Sequence, residues 1–271
     1  MIDFKSGRKY IIGLIHLPPL PGTPFYQGDG MAPILRKAVD DALALVHGGA
    51  HGCLIQTVDR AYSNQDDTDY ARVAAMTLVT QAVRQAVPEG FLVGVQLMWN
   101  CITPSLAVAK VCGADFIRCT ALVGVSDSPY GTVEAQPLKV QEYRRKLDAM
   151  DVALIAEIQG YHFKGEGDPI KELRSRAYFA TYAGADAVEI VDKDEETNNR
   201  MAQALQGMHI PVVLGGGTNA ENVRRRMQYA DMALVGSAFE RKGWGGKVDE
   251  GAVRAYMNSF QAMEKEDARP C

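Results

Sequence analysis

In "CGADFIRC" (112–119) a helical pattern ends at a glycine, the chain turns, and a short apolar strand begins. Similar segments occur at "GGAHGCLI" (48–55), "AGADAVEI" (183–190) and "YADMALV" (229–235). In three of the four segments a glycine stands where a helix would end in left-handed geometry. A two-strand unit repeated four times predicts a closed barrel of eight strands.

The whole sequence contains eight apolar runs separated by helical patterns, at 10–16, 52–57, 91–98, 115–120, 152–159, 186–191, 211–216 and 231–236. The runs are continuous rather than alternating, which is typical of a parallel sheet covered by helices. The expected fold class is therefore α/β, a single (β/α)8 TIM barrel over residues 1–271 with a frayed tail at 264–271. A doubly wound sheet is the alternative.

Composition narrows the class of protein. The formal net charge is -4, and "RRR" at 224–226 is expected to be a solvated helix face, so no basic stripe indicates nucleic-acid binding. No apolar run reaches the roughly 18 residues of a membrane span, and no signal peptide is expected. Five cysteines without a C-x-x-C pair fit reduced thiols. We expect a cytoplasmic protein and, as is common for barrels, a homo-oligomer.

Two segments after the seventh and eighth strands predict a phosphate site, formed by Gly215, Gly216, Gly217, Gly236 and Ser237. Thr218 or Asn219 is expected to cap a helix after the first segment, and a short extra helix is expected after the second. Backbone N–H groups and helix N-termini at these loops commonly bind phosphate in barrels. The alternative is that the glycines only form turns.

Several segments resemble the BtpA/SgcQ family, in order from about Gly13 to Tyr256: "LIHLPPLPGTP", "GVQLMWN", "ADFIRCTALVGVSDSPYGTVEA", "EYRRKL" and "NAENVRRRMQYADMALVGSAFERKG". The resemblance implies a phosphate-binding TIM barrel. Its members are often labelled as photosystem I or membrane-complex biogenesis proteins, and another branch is found beside sugar-uptake genes. The resemblance implies no settled reaction. The sequence departs from the family pattern at "VDKDEET" (191–197), at Tyr161 with His162, and at Cys101.

Polar residues at the carboxyl ends of the strands are the candidate active-site groups, because these ends meet at the mouth of a barrel. The catalytic candidates are His16, Asn100, Arg118, Glu157, His162 and Glu189, and the wider polar set adds Gln56, Asp59, Gln96, Gln159, Asp192 and Lys193. His16 precedes Pro18, Pro19 and Pro21, which can stiffen the loop beside the imidazole.

The chemistry of these groups leaves alternatives open. Glu157 and Glu189 could transfer protons, or they could pair with Arg118 in a buried salt bridge. No cofactor is required, but a divalent metal could bind, with His16, Asp59, Glu157 and His162 as its ligands. Trp244 in "KGWGGK" could anchor an interface or form part of the active-site rim.

The sequence therefore favours an enzyme that acts on a small phosphorylated metabolite. A sugar phosphate is the expected substrate, and isomerisation, epimerisation or aldol chemistry the expected reaction. One alternative is a non-catalytic assembly or regulatory factor that uses the barrel as a binding scaffold. A second alternative is a metal-dependent hydrolase.

Overall fold

A closed barrel of eight parallel strands forms the centre of this computed structural model, which describes residues 2, 4, 7–128, 130–160 and 169–267. The strands along the described chain are β1 (Tyr10–Leu17), β2 (Gly52–Thr57), β3 (Leu92–Gln96), β4 (Phe116–Cys119), β5 (Val125–Ser128), β6 (Gly131–Glu134), β7 (Ala153–Gln159), β8 (Ala187–Ile190), β9 (Val212–Leu214) and β10 (Met232–Val235). Around the barrel the order is β1, β2, β3, β4, β7, β8, β9, β10 and back to β1. The predicted (β/α)8 TIM barrel is confirmed.

Helices follow the barrel strands and cover the outside of the barrel. They are α1 (Met31–Gly48), α2 (Tyr70–Ala86), α3 (Ile102–Cys112), α4 (Pro137–Lys146), α5 (Pro169–Tyr182), α6 (Glu195–Ala204), α7 (Val223–Arg226) and α8 (Glu250–Asp267). Three of the turns that return to a strand contain a left-handed glycine, with φ of 89° at Gly49, 63° at Gly113 and 86° at Gly184. The glycine stops expected in the repeated segments are confirmed.

Two apolar layers hold the barrel together. Side chains on one face of each strand pack outward against the helices, with Ile11, Ile15 and Val93 fully buried there. Side chains on the other face fill the barrel interior, where Phe116 lies so close to Gly94 that a β-carbon at Gly94 would collide with its ring. The interior is therefore tightly packed below the carboxyl ends of the strands, and the mouth of the barrel lies above this layer.

Three loops differ from the expectation. The loop after β4 contains the antiparallel hairpin of β5 and β6, two strands that lie outside the eight predicted runs. The helix after β9 is short, since α7 has four residues and begins only after Asn222. Gly236 and Ser237 begin a turn instead of a short helix, because Phe239 N–H donates to Gly236 O at 2.8 Å and Glu240 N–H to Ser237 O at 3.4 Å.

The last helix ends later in the sequence than expected. α8 continues through Asp267, into the stretch expected to fray from 264, and residues 268–271 lie outside the described residues. Among the helices of the described residues, none combines the length and the apolar character that a bilayer crossing requires.

Candidate active site

A ring of residues closes the carboxyl end of the barrel interior, and we call it the mouth ring. Because side chains alternate along a strand, every second residue faces the interior, and the last such position on each strand lies at the mouth. In order around the barrel these residues are His16, Gln56, Gln96, Arg118, Glu157, Glu189, Gly215 and Gly236. The strand register sets His16 beside Gln56, Gln56 beside Gln96, and Glu157 beside Glu189. Six strands thus contribute polar side chains, and β9 and β10 contribute glycines.

A cavity of about 600 Å³ lies at this mouth, within the size range of small-ligand sites. Four polar members of the mouth ring line it, namely His16, Gln56, Arg118 and Glu157. Trp99 and Trp244 form part of its wall. The loops after β9 and β10 line it through Gly215–Asn219 and Gly236–Ala238. The cavity therefore combines titratable groups with a glycine-rich wall.

Arg118 binds the two glutamates unequally. Its Nε and Nη2 donate to the two carboxylate oxygens of Glu189, both at 2.6 Å, in a bidentate pair. Nη2 also donates to Glu157 Oε2 at 2.9 Å. Glu189 is fully buried behind the cavity, whereas Glu157 lines it. Glu189 is thus the residue that fixes Arg118, and Glu157 is the carboxylate that a ligand can reach.

The charges of this trio do not balance, since one guanidinium faces two carboxylates. Burial raises the pKa of Glu157 to about 7, and repulsion from Glu189 adds to this effect while Arg118 opposes it. Burial alone would lower the pKa of Arg118, but the carboxylates of Glu189 and Glu157 outweigh burial and raise it. Glu157 can therefore gain or lose a proton near neutral pH while Arg118 stays charged.

Glycines make room for both carboxylates. A β-carbon at Gly160 would collide with Glu157 Oε1, and one at Gly215 would collide with Glu189 Oε1. The glycine at 215 is therefore explained by packing against Glu189 as well as by any ligand. Its N–H donates to Ile190 O at 2.9 Å and so belongs to the sheet.

His16 forms a buried pair with Glu240, a residue that the sequence did not single out. His16 Nδ1 lies 2.6 Å from Glu240 Oε1, and the two side chains are 3% and 0% exposed. The ring of Trp244 lies against the imidazole with 5.5 Å between centroids, although 63% of Trp244 is exposed. Of the two roles open for Trp244, the structure favours the rim of the site.

Gln56 has a buried side-chain oxygen that accepts no hydrogen bond among the described residues. Its Oε1 has no hydrogen-bond partner within the part of the chain that the structure describes, although Gln56 is only 7% exposed and lines the cavity. Its neighbour Gln96 is satisfied, because Oε1 accepts from Arg118 and Nε2 donates to Thr120 Oγ1. A buried unsatisfied acceptor facing a cavity is typical of a position completed by a ligand.

The glycine loop, Gly215–Asn219, is shaped by contacts from behind. Asn222 Nδ2 donates to Gly217 O at 3.0 Å, and Tyr256 Oη donates to Thr218 Oγ1 at 2.9 Å. Gly217 has φ of 76°, and a β-carbon there would collide with Arg226 Nη1. The N–H groups of Gly216, Gly217 and Thr218 are thus the candidate anion donors of this loop, with those of Gly236 and Ser237 opposite them.

The expected solvated face at 224–226 is correct for only part of that run. Arg224 and Arg225 are exposed, whereas Arg226 is 2% exposed and lies beneath Gly217. A guanidinium beneath the loop adds positive charge at the place where an anion would bind. Sequence periodicity could not separate it from its two neighbours.

Two predicted site residues have structural roles outside the cavity. Asn100 Oδ1 accepts the N–H of Ala121 at 2.9 Å and so fixes the loop after β4, and its catalytic role stays a prediction. Asp59 accepts from Arg72 Nη2 at 2.7 Å and from Thr23 Oγ1 at 3.1 Å. Asp59 therefore ties the proline-rich loop after β1 to α2.

Among the residues that the structure describes, the proposed metal ligands do not form a cluster. Within residues 2, 4, 7–128, 130–160 and 169–267, no three His, Cys, Asp or Glu side chains form a group that could hold a metal ion. His16 is engaged by Glu240, Asp59 by Arg72, and Glu157 by Arg118. His162 lies outside the described residues, so its catalytic or metal role stays a prediction.

The fold and the mouth ring define the class of protein as a TIM barrel with a polar cavity at the carboxyl ends of its strands. The profile of the BtpA family matches residues 7–262. An uncharacterised protein of Archaeoglobus fulgidus is 32% identical over 258 residues, covering 93% of this chain and 98% of the relative. The photosystem I biogenesis protein BtpA of Synechocystis is 29% identical over 243 residues, covering 86% and 81%. The chain belongs to the BtpA family, as its motifs indicated.

Solved structures share the fold at low sequence identity. Thiamine phosphate pyrophosphorylase from Pyrococcus furiosus has a TM-score of 0.58 at 16% identity and covers 96% of this chain and 99% of its own. Phosphoribosyl anthranilate isomerase from Thermococcus kodakaraensis has a TM-score of 0.58 at 14% identity, with coverages of 93% and 99%. These similarities establish the barrel fold.

Proposed function

We propose that this protein is an enzyme that moves a proton on a small phosphorylated sugar, by isomerisation or epimerisation, with aldol cleavage as a close chemical variant. The observation that carries the proposal is the composition of one cavity. Glu157, with a pKa near 7, and His16 line the same cavity as the glycine loop and Gly236. A proton-transferring pair beside an anion site is what sugar phosphate chemistry needs.

Each part of the cavity has a role in this scheme. The N–H groups of Gly216, Gly217 and Thr218 and those of Gly236 and Ser237 hold the phosphate, with Arg226 beneath Gly217. Glu157 removes the proton from the carbon next to the substrate carbonyl, because its pKa is close to neutral. The charge of Arg118 stabilises the negative charge that develops on the carbonyl oxygen. His16 exchanges the second proton, so no cofactor is needed.

The known barrels of this shape support the substrate class by analogy of fold. The names of thiamine phosphate pyrophosphorylase and phosphoribosyl anthranilate isomerase specify phosphorylated compounds. Fold alone does not assign a substrate, so the weight of the proposal rests on the cavity.

Hydrogen exchange with solvent tests the proposal without knowledge of the product. The protein is incubated in D2O with a panel of aldose and ketose phosphates, and loss of the carbon-bound proton signal is followed by NMR. We expect exchange with at least one sugar phosphate, reduced about 100-fold or more in Glu157→Gln. Glu142→Gln, which changes an exposed carboxylate on α4, should exchange like the wild type. Absence of exchange with every sugar phosphate of the panel would refute the proposal.

A binding scaffold is the second candidate function. It is favoured by the name of the Synechocystis relative, a photosystem I biogenesis protein, and by the ion pairs that Arg118 makes with both glutamates. A scaffold would show no exchange, and Glu157→Gln would leave its partner binding intact. The arrangement does not favour a metal-dependent hydrolase, because His16, Asp59 and Glu157 are engaged by three different partners.

A further inference from the structure

We propose that Glu240 is the positioning residue of His16, and that the two side chains work as a dyad which presents imidazole Nε2 to the substrate. The proposal rests on the proposed function in giving His16 a proton to transfer. Its structural part concerns the protein alone. His16 Nδ1 and Glu240 Oε1 are 2.6 Å apart and both side chains are buried, at residues 224 positions apart in sequence.

The contact selects one form of the imidazole. An ionised carboxylate only accepts hydrogen bonds, so Nδ1 must carry the hydrogen that it donates to Glu240. In the neutral ring Nε2 is then the unprotonated nitrogen and can accept a proton. His16 lines the cavity, so this nitrogen is the one left for a ligand. Glu240 also stabilises the imidazolium that forms when Nε2 takes a proton.

The loop after β10 holds Glu240 rigidly. Its second oxygen, Oε2, accepts the N–H of Gly245 at 3.3 Å, and its backbone forms an isolated antiparallel bridge with Val248. Arg241 N–H donates to Lys247 O at 2.8 Å, which closes the loop. This closed loop also places Trp244 against the imidazole. The carboxylate is therefore held by contacts within its own loop as well as by His16.

The charged groups around the pair are few. Asp41 and Lys37 of α1 form an ion pair behind the loop, where Asp41 accepts the N–H of Val248 at 2.9 Å and Lys37 donates to Gly246 O. Arg118 and Glu157 line the same cavity as His16. Among the contacts of the described residues, the carboxylate bonded directly to the imidazole is that of Glu240.

Glu240 also connects the imidazole to the anion site. Gly236 and Ser237 lie on the same loop, and the turn bonds from Phe239 N–H to Gly236 O and from Glu240 N–H to Ser237 O join them to it. An anion bound by Gly236 and Ser237 would therefore contact the same turn that carries Glu240. We expect inorganic phosphate to shift the NMR signals of His16.

NMR of the full chain labelled with 15N-histidine measures the ring form directly. His16 signals are assigned with His16→Gln. We expect the Nδ1–H form in the wild type, and a change toward the Nε2–H form in Glu240→Met, which removes the acceptor at similar size. Glu240→Gln should keep the Nδ1–H form, because its amide oxygen still accepts. An Nε2–H form in the wild type, or the same form in wild type and folded Glu240→Met, would overturn the proposal.

The matched control is Glu250→Met. Glu250 Oε2 lies 3.8 Å from Nδ1 of His47 in a half-exposed pair on the outside of the barrel, so this variant should leave the His16 signals unchanged. In the exchange assay we expect Glu240→Met to lower kcat about 100-fold with little change in KM. Should the tautomer change as expected while the wild type exchanges no sugar phosphate, the dyad stands and the proposed reaction fails.

Discussion

Gln56 and Gln96 are neighbours on adjacent strands with opposite hydrogen-bond status. Both amides are buried at the mouth ring, yet Gln96 uses its Oε1 and Nε2 on Arg118 and Thr120. Gln56 keeps Oε1 without a partner among the described residues, and its Nε2 has only the weak acceptor Met98 Sδ at 2.9 Å. A buried acceptor without a partner costs about 1–3 kcal/mol of stability. Such a cost at a cavity wall indicates function rather than packing.

Replacing the two glutamines should therefore change stability in opposite directions. Gln56→Leu removes the unsatisfied acceptor and is expected to raise the free energy of unfolding by about 1 kcal/mol. Gln96→Leu removes the acceptor of Arg118 Nη1 and the donor to Thr120 Oγ1, and is expected to lower it by about 1–3 kcal/mol. Urea unfolding at pH 7 measures both values. Destabilisation of similar size in both variants would show that Gln56 is an ordinary core amide.

The residues whose environment the sequence did not predict share one property, which is that distant parts of the chain set this environment. Glu240 lies in "ERKG", a polar run that looks solvent-facing until the loop folds onto His16. Arg226 cannot be distinguished from Arg225 by periodicity in a helix of four residues. Asn100 was placed at a strand end because the third strand was expected to reach Met98. The strand ends at Gln96, and Asn100 lies in the connection between β3 and α3.

The strands themselves were predictable, because burial on both faces makes a continuous apolar run and the glycine stops mark where each helix ends. The mouth ring follows from the same rule, since Arg118, Glu157 and Glu189 interrupt apolar runs at their carboxyl ends. The hairpin of β5 and β6 was not predicted. Its strands are four residues each, and contacts beyond the hairpin hold it, from Tyr130 Oη to Arg60 O and from Asn64 Nδ2 to Thr132 O.

The loops after β9 and β10 form the proposed anion site together, and Ser237 offers the cleanest test of it. Ser237 is exposed, so Ser237→Asp adds a negative charge beside the site without disturbing the core. Inorganic phosphate at about 100 times its dissociation constant should stabilise the wild type by about 2.7 kcal/mol. We expect Ser237→Asp to lose this stabilisation and Ser237→Asn, its neutral match, to keep it.

Thermal unfolding with and without phosphate at constant ionic strength measures the effect. Equal phosphate-induced shifts in the Asp and Asn variants would exclude an anion site at Ser237. A side chain at Gly216 is a poorer probe, because its φ of 155° would strain any other residue.

Among the described residues, the barrel interior contains a cluster in which one guanidinium faces two carboxylates, and this cluster affects the stability of the whole molecule. Arg118 binds Glu189 and Glu157 together, at a place where burial weakens the screening of the second carboxylate. Replacing buried ion pairs by neutral groups is often neutral or stabilising, so a protein selected for stability alone has little reason to keep Glu157.

Association into homo-oligomers stays a prediction, and sedimentation velocity tests it.

Glu157 should make the free energy of unfolding fall as pH rises toward neutrality. The pKa of Glu157 is about 7 in the folded chain against an ordinary value of 4.5, so between these values the folded state binds more protons than the unfolded state. Stability is therefore highest below the lower value and decreases through the window, with a slope of at most about 1.4 kcal/mol per pH unit from this group. The loss is complete above about pH 7.

Glu157→Gln removes the titrating group while its amide oxygen can still accept from Arg118. We expect the stability of this variant relative to the wild type to rise from pH 5 to about pH 7 and then to level off toward pH 8, as measured by urea unfolding at fixed salt. Glu142→Gln on α4 should run parallel to the wild type, because its carboxylate is exposed. Parallel curves for Glu157→Gln would mean that Glu157 is already ionised at pH 5 in the folded protein. It would then hold Arg118 in place, and the proton transfer proposed for this cavity would have to begin at His16.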